Sequence, residues 1–313
     1  MKKILVLMEK WCDLNPNLGT TSANSNVIGS LHSAEIDHEV FYYDEYLNSF
    51  GKPIDEFLKN YICENDFSAV VVSYYPVRDD PRNVALETFR FINERVPVIF
   101  IWFDFGHPHI ADLANYISEV NTLNVVVDVV REESDKFSFM WVPQDERVFS
   151  PGENKNIEVS FVGSRTHYSE RNEYLNFILD KVPLCISGGQ REHNLSIEDY
   201  ANVLKRSKLT INFPFKSDGT VQTKCRVYEG MLCKAMLLEC DNDAVRNWFT
   251  PMVHYVPFSG KLDLLNKISY YRENEKERTR ITNNACEKMT NEFSSKNWWK
   301  KVLEKVKVGE YFC

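Results

Sequence analysis

The sequence predicts an α/β protein of two units, each a parallel sheet covered by helices, and three observations carry that prediction. Its 313 residues are about twice the length of a common single domain. Apolar runs of strand length recur between stretches with helical spacing, and strands that are apolar on both faces belong to parallel sheets sandwiched by helices. The alternation halts at a polar loop carrying Pro151 and Gly152 and then restarts, which marks a boundary.

Residues 3–8 form a short apolar run ending in a polar loop, residues 27–34 have helical spacing, and residues 38–43 are β-branched and aromatic like a strand. Residues 54–62 then predict a helix, 69–75 a buried strand, 83–94 a helix, and 96–103 and 124–130 two further buried strands. The polar segment 149–156 is the expected hinge, dividing the chain into domains 1–150 and 151–313. Beyond it come a strand at 157–162 ending at Gly163, a helix at 170–179, a strand at 184–187 ending at Gly188 and Gly189, a helix at 197–205 and a strand at 209–213. A polar loop, a helix near 226–233 and a strand at 235–239 complete a second Rossmann-like layer. The tail, 261–306, is helical and charged. Its Trp298 and Trp299 are expected to dock a final helix back across the domain boundary rather than to stack on a ligand.

Hydrophobic residues make up 43% and charged residues 26% of the chain, proportions that exclude disordered, collagenous and fibrous classes. The longest apolar stretch, 96–103, is far short of the ~18 residues a membrane span needs. The five apolar residues after Lys3 are too few for a signal-peptide core. A cytoplasmic protein without integral membrane contact is therefore expected. Cys12, Cys63, Cys185, Cys225, Cys233, Cys240, Cys286 and Cys313 show no C-x-x-C spacing, and several lie in apolar runs, so they read as reduced structural thiols. The seven histidines lack ligand spacing, and no metal is expected.

Net charge is −8, but it is unevenly spread. Residues 1–150 hold 12 Lys and Arg against 24 Asp and Glu, whereas residues 151–313 hold 25 against 21. An anionic ligand thus belongs with the second half. The acidic first half repels a phosphate backbone, so nucleic acid is a poor partner for it.

Ligands of open α/β sheets bind beyond the carboxyl ends of the strands. At one such end, Gly163-Ser164-Arg165 leads into a helix: glycine admits close approach, the helix start offers free N–H groups, and Arg165 is a bidentate phosphate donor. At another, a polar loop runs into a helix whose start holds Lys224 and Arg226, with Glu229 one turn in. Dipole and cations both favour an anion there. A carboxylate so near a diphosphate is opposed by it unless it accepts hydrogen bonds from ligand hydroxyls, and the vicinal pair on a ribose fits Glu229. In the first half, Asp104, His107 and His109 cluster at the lip of the buried strand 96–103. Asp104 and His107 are the catalytic candidates, His107 as the acceptor's general base.

Several segments in order, V-S-F-V-G-S-R (159–165), E-D-Y-A-N-V-L-K-R-S-K-L-T-I-N-F (198–213), C-R-V-Y-E-G-M-L-C-K-A-M-L-L-E (225–239) and a late W-W helix, resemble the C-terminal domain of GT-B-fold glycosyltransferases. They resemble most the group described as spore-maturation-protein CgeB-like. Residues 141–151 also resemble the interdomain passage of such enzymes. The resemblance implies two Rossmann-like domains facing a cleft, with a nucleoside-diphosphate sugar as co-substrate on the second and the acceptor on the first. It implies no other cofactor and no metal. Glu229 matches the second Glu of that family's paired-glutamate motif, which is placed on the ribose, and Val221 stands where the first would fall. Retaining transfer is the expectation, with inversion left open by Val221; Asp218 is the alternative carboxylate. Arg165 matches a diphosphate-side position. Gly19 and Thr20 lie in a small-residue loop that resembles the first loop of such enzymes and joins the donor-binding set. The acceptor is expected to be a glycan, a protein or a small molecule rather than nucleic acid. A sugar-nucleotide epimerase and a non-catalytic nucleotide-sugar-binding protein are the alternatives.

Overall fold

A computed structural model describes residues 2–165, 169–188, 195–216 and 219–308. The predicted positions Gly189, Asp218 and Cys313, and the helix opening at 166–168, lie outside the described residues. The chain divides into two compact units: Met1–Asp145 with Ser295–Cys313, and Glu146–Ser294.

The first unit is a six-stranded sheet in the order β2-β1-β3-β4-β5-β6, formed by β1 (Lys3–Met8), β2 (His38–Tyr42), β3 (Phe67–Val72), β4 (Val98–Trp102), β5 (Leu123–Val126) and β6 (Phe137–Phe139). All neighbours are parallel. Helices α1 (Ser22–Ser33), α2 (Tyr43–Phe50), α3 (Asp55–Glu64), α4 (Leu86–Asn93) and α5 (Pro108–Ile117) connect the strands. Central strands β1, β3 and β4 are buried along almost their whole length, as expected for a sheet with both faces covered. The chain leaves β1 towards β2 on one side and continues to β3 on the other, so the strand order reverses between β1 and β3.

Two helices of this unit were not legible as helices. α2 follows β2 without a break, and its aromatic residues continue the strand-like composition; its first turn holds Asp44 and Glu45, which suit a helix N-terminus. α5 begins with Pro108 at its first position after His107 at the cap, a favoured start.

The second unit is a five-stranded parallel sheet in the order β11-β10-β9-β7-β8. Its strands are β7 (Ile157–Val162), β8 (Leu184–Ser187), β9 (Ser207–Asn212), β10 (Met236–Cys240) and β11 (Val256–Phe258), and its helices include α6 (Ser169–Leu179), α7 (Ile197–Arg206), α8 (Cys225–Leu232) and α9 (Asp243–Arg246). Here the order reverses between β7 and β9. The late helical tract is three helices, α10 (Lys261–Glu273), α11 (Glu275–Asn291) and α12 (Ser295–Lys305). Buried Cys233, Cys240 and Cys286 in this unit are thiols. Among the described residues no helix is long and apolar enough to cross a membrane.

Helix α12 belongs to the first unit, and its two tryptophans explain why. Both are fully buried. The Trp298 indole N–H donates to the carbonyl of Trp141 at 2.8 Å, and that of Trp299 to Ser30 Oγ on α1 at 2.9 Å. The rings meet edge to face, so a large apolar area is buried with both polar atoms satisfied. Neither indole is presented to a ligand.

Trp299→Ala is expected to destabilise the first unit by about 3 to 5 kcal/mol, the usual cost of emptying a buried aromatic site. Urea unfolding followed by circular dichroism measures it.

Candidate functional site

In the second unit the carboxyl ends of β7 and β9 flank the point where strand order reverses, the standard position for a ligand crevice. Strand β7 ends at Gly163, whose φ is 146°, a conformation that side chains disfavour. A Cβ built there would run into the guanidinium of Arg226. Glycine is thus favoured by conformation, and its bare backbone leaves the arginine room to lie against it.

Arg226 comes from the first turn of α8. Its Nη1 donates to Asn212 Oδ1 at the end of β9, 2.5 Å away, and its guanidinium carbon lies 5.1 Å from the centre of the Phe161 ring. Its Nε is buried and has no hydrogen-bond partner among the described residues. A buried N–H left in this way costs about 1 to 3 kcal/mol, and a phosphate oxygen would satisfy it. Lys224 stands at the N-cap position of the same helix, adding a cation where the helix N–H groups are exposed.

One turn further along α8, Glu229 is 5% exposed. The Tyr200 hydroxyl donates to its Oε2. Burial pushes the Glu229 carboxyl up to about 7, against the Tyr200 bond and the nearby Arg226, which both pull it down. Tyr200 is held well above the ordinary tyrosine range by loss of solvent and by Glu229 itself. The pair is a poised hydrogen-bonding group beside a guanidinium.

Gly163 and Arg226 meet at one strand end, with Lys224 and Glu229 on the same helix as Arg226. The Arg165 guanidinium bonds Asn172 Oδ1 and Asn176 Oδ1 of α6, each at 2.8 Å. Arg171 reaches the end of β7. It is 6% exposed, its Nη1 donates to the Ser164 carbonyl at 2.5 Å, and its guanidinium carbon is 5.5 Å from the Phe161 ring. Arg171 and Arg226 therefore flank the same phenyl ring. The signal for Arg171 was in the sequence, since it sits in the first turn of the helix that follows Gly163, where an anion-binding arginine is useful. Lys216, buried in the loop after β9, also went unread.

Another missed residue is Glu239, wholly buried at the end of β10. It accepts from Asn212 Nδ2 at 2.8 Å and Asn242 Nδ2 at 2.9 Å. Burial raises its carboxyl to about 8, with the two amides, Arg226 and Lys224 pulling the other way.

In the first unit, Asp104 is exposed in the left-handed region with φ 60°. The His107 N–H donates to the Asp104 carbonyl at 3.0 Å, closing a turn that leads into α5. The His107 ring stacks on His109 at 5.5 Å. Buried Asp128 fastens this turn by accepting from Phe105 N at 3.1 Å and Gly106 N at 3.4 Å. Gly19 and Thr20 lie in the loop after β1, where Thr20 bridges Trp11 and Gly19 has φ 77° with open space where a Cβ would project.

The sequence passed over Glu9, the residue after β1. It is half-buried beside the β1/β3 reversal, its Oε2 accepting from the Tyr43 hydroxyl at 3.0 Å and its Oε1 from Ser73 Oγ at 3.4 Å. Burial raises its carboxyl to about 7.

Among the described residues no cluster of His, Cys, Asp and Glu is arranged to hold a metal ion. The triplet Asp241-Asn242-Asp243 has Asp-x-Asp spacing, but its members serve the fold. Asp241 pairs with Arg246 at 2.5 Å, and Asn242 caps α9 by accepting from Val245 N at 3.1 Å.

Residues 146–304, half of the chain, match the family model described as "Glycosyl transferase-like". The chain therefore belongs to the glycosyl transferase-like family and is a glycosyltransferase. Comparison with solved structures finds the same two-sheet architecture over whole chains. Anabaena HepE in complex with UDP and glucose superposes with a TM-score of 0.64 at 10% identity, covering 98% of this chain and 100% of that one. Sucrose-phosphate synthase from Thermosynechococcus elongatus gives 0.62 at 8% identity, covering 99% and 100%. The β-glucosyltransferase of T4 phage gives 0.52 at 11% identity, covering 97% and 98%. The fold is GT-B. A comparison with curated protein sequences found no match.

The Glu229 carboxyl carries a pH prediction. Its value rises from 4.5 to about 7 on folding, so the folded protein holds that proton more tightly than the unfolded chain. Its contribution to stability therefore falls as pH climbs through this window and is flat above it. Glu229→Gln removes that slope. Relative to wild type the variant is expected to gain roughly 3 kcal/mol between the two ends of the window, measured by urea unfolding at each pH.

Proposed function

We propose that this protein transfers a sugar from a nucleoside-diphosphate sugar to a hydroxyl acceptor, with the second unit holding the donor. The observation that carries this reading is the Arg226 guanidinium, fixed between Gly163 and Asn212 at the β7/β9 reversal with a buried N–H awaiting an acceptor. Arg226, Arg171 and the start of α8 with Lys224 take the diphosphate. Glu229, held by Tyr200, takes the ribose hydroxyls. The binding of UDP by HepE supports the same class of donor. The V-S-F-V-G-S-R and C-R-V-Y-E segments support a place beside the CgeB-like group, and a cytoplasmic location is part of the same reading. Gly19 and Thr20 are assigned to the donor as well, and Arg165 to the rim of the diphosphate site.

No metal or other cofactor is assigned, because the leaving diphosphate is neutralised by guanidinium groups and a helix N-terminus. In the retaining reading the acceptor oxygen forms its bond to the sugar C1 on the face from which the diphosphate departs. The C1–O bond breaks with its electron pair on the phosphate oxygen, and that oxygen takes the acceptor proton. Asp104 and His107 then contact the sugar. A second reading rests on Glu9: a carboxylate held near neutrality at the end of β1 is matched to take the acceptor proton in an inverting displacement. Product anomer analysis by NMR separates the two.

Calorimetric titration with UDP, GDP, ADP and dTDP in EDTA-containing buffer tests the donor site. One of the four should bind, and Arg226→Ala should weaken it by about 1.5 to 3 kcal/mol. Unchanged affinity removes Arg226 from the site. For His107→Ala, the retaining reading expects donor affinity and turnover to fall together; a loss of turnover alone, by about 10² to 10⁴, assigns His107 to proton transfer instead.

A further inference from the structure

We propose that Glu239 is a positioning residue for the diphosphate site, acting through Asn212 to hold Arg226 in place; this rests on the donor reading above. Glu239 has one amide N–H₂ on each oxygen and accepts from both whether or not it holds a proton, while a guanidinium only donates. Asn212 stands between them, with Nδ2 on Glu239 Oε2 at 2.8 Å and Oδ1 on Arg226 Nη1 at 2.5 Å. Reversing the amide would set N–H₂ against guanidinium and oxygen against carboxylate, so its orientation is dictated from both ends. The far end of the chain is fixed in the same way. Asn242 spends its oxygen on Val245 N at the start of α9, which leaves its Nδ2 to donate to Glu239 Oε1 at 2.9 Å.

Glu239 is thus the acceptor from which two amides take their direction. It has no contact with solvent and is paired in register with Asn212 across β10 and β9. A buried carboxylate is costly to keep, and packing alone would be served by an apolar residue at this strand end. What the carboxylate supplies is a fixed polarity: the Asn212 oxygen always faces Arg226, so the guanidinium is held against Gly163 and above Phe161 before a ligand arrives. Preorganisation of this kind lowers the cost of binding an anion.

The test compares a nucleoside diphosphate with its nucleoside. Calorimetry uses whichever of UDP, GDP, ADP and dTDP the wild-type protein binds best, alongside the matching nucleoside. In Glu239→Gln one amide N–H₂ must face another, and Asn212 loses its enforced direction. The diphosphate should bind about tenfold more weakly, while the nucleoside stays within about twofold of wild type. Equal affinity for the diphosphate, or an equal loss on diphosphate and nucleoside, overturns the proposal. Asn212→Ala supplies the second arm and stands in if Glu239→Gln does not fold. It should reproduce the selective loss, and the double variant should lose no more than Asn212→Ala alone, because both changes cut one chain of bonds. Additive losses in the double variant, or no loss in Asn212→Ala, overturn it too. A wild-type protein that binds none of the four diphosphates refutes the donor reading itself, a result separate from any difference between variants.

Discussion

The contact of the Arg226 guanidinium with Gly163, Phe161 and Asn212 is the constraint from which the second unit's site follows. A planar cation set over an aromatic face and against bare backbone needs a glycine beneath it and an oxygen at its edge, and β7 and β9 provide these at neighbouring strand ends. The helix that delivers the arginine must begin within reach of both strands, so the loop before α8 is tied to the reversal of strand order. Glu229 then falls one turn deeper, where burial and a tyrosine hydroxyl set its character. The chemistry attributed to this unit is therefore a property of its topology as much as of its residue types.

Carboxylates show how the two units differ in surface and interior. Some near the surface are paired with cations and held below their ordinary range, as Glu158 is by Lys208 and Arg272 and Asp80 by Arg82. Glu9, Glu229 and Glu239, which are raised, are instead satisfied by tyrosine, serine or amide donors. All three sit at or beyond the carboxyl ends of strands or on the helix that faces them. Stability is surrendered there in exchange for groups whose protonation is balanced near neutrality, a pattern common at functional sites.

How much of this was legible in the sequence depended on whether the relevant partners were local. Gly163, Lys224, Arg226 and Glu229 stood out because a strand end, a turn and a helix start place them within short stretches of chain. Arg165 looked equivalent to Arg226 on the same grounds, but Asn172 and Asn176 on the following helix compete for it, and a strand-to-helix turn says nothing about that competition. Glu9 was invisible as more than the end of an apolar run, since Tyr43 and Ser73 reach it from other elements. Glu239 read as the polar end of a strand, and only the register between β10 and β9 reveals Asn212 beside it. Among the elements, the parallel strands were clear from their unbroken apolar runs. The start of α2 was hidden by aromatic residues continuous with β2, and β11 is too short to show a period.

The return of α12 to the first unit makes that unit discontinuous in sequence, with the whole of Glu146–Ser294 inserted into it. During synthesis the inserted unit is complete before the last segment of its host has been made. The space that Trp298 and Trp299 fill on α1 and beside Trp141 must therefore wait, empty, for about half of the chain to emerge. The inserted unit can reach its fold on local contacts of its own, while the host closes its core through contacts of very large sequence separation, the slow kind. A nascent chain of this protein thus exposes an apolar seam on its N-terminal portion until α12 has emerged, and its vulnerability to aggregation is concentrated in that interval.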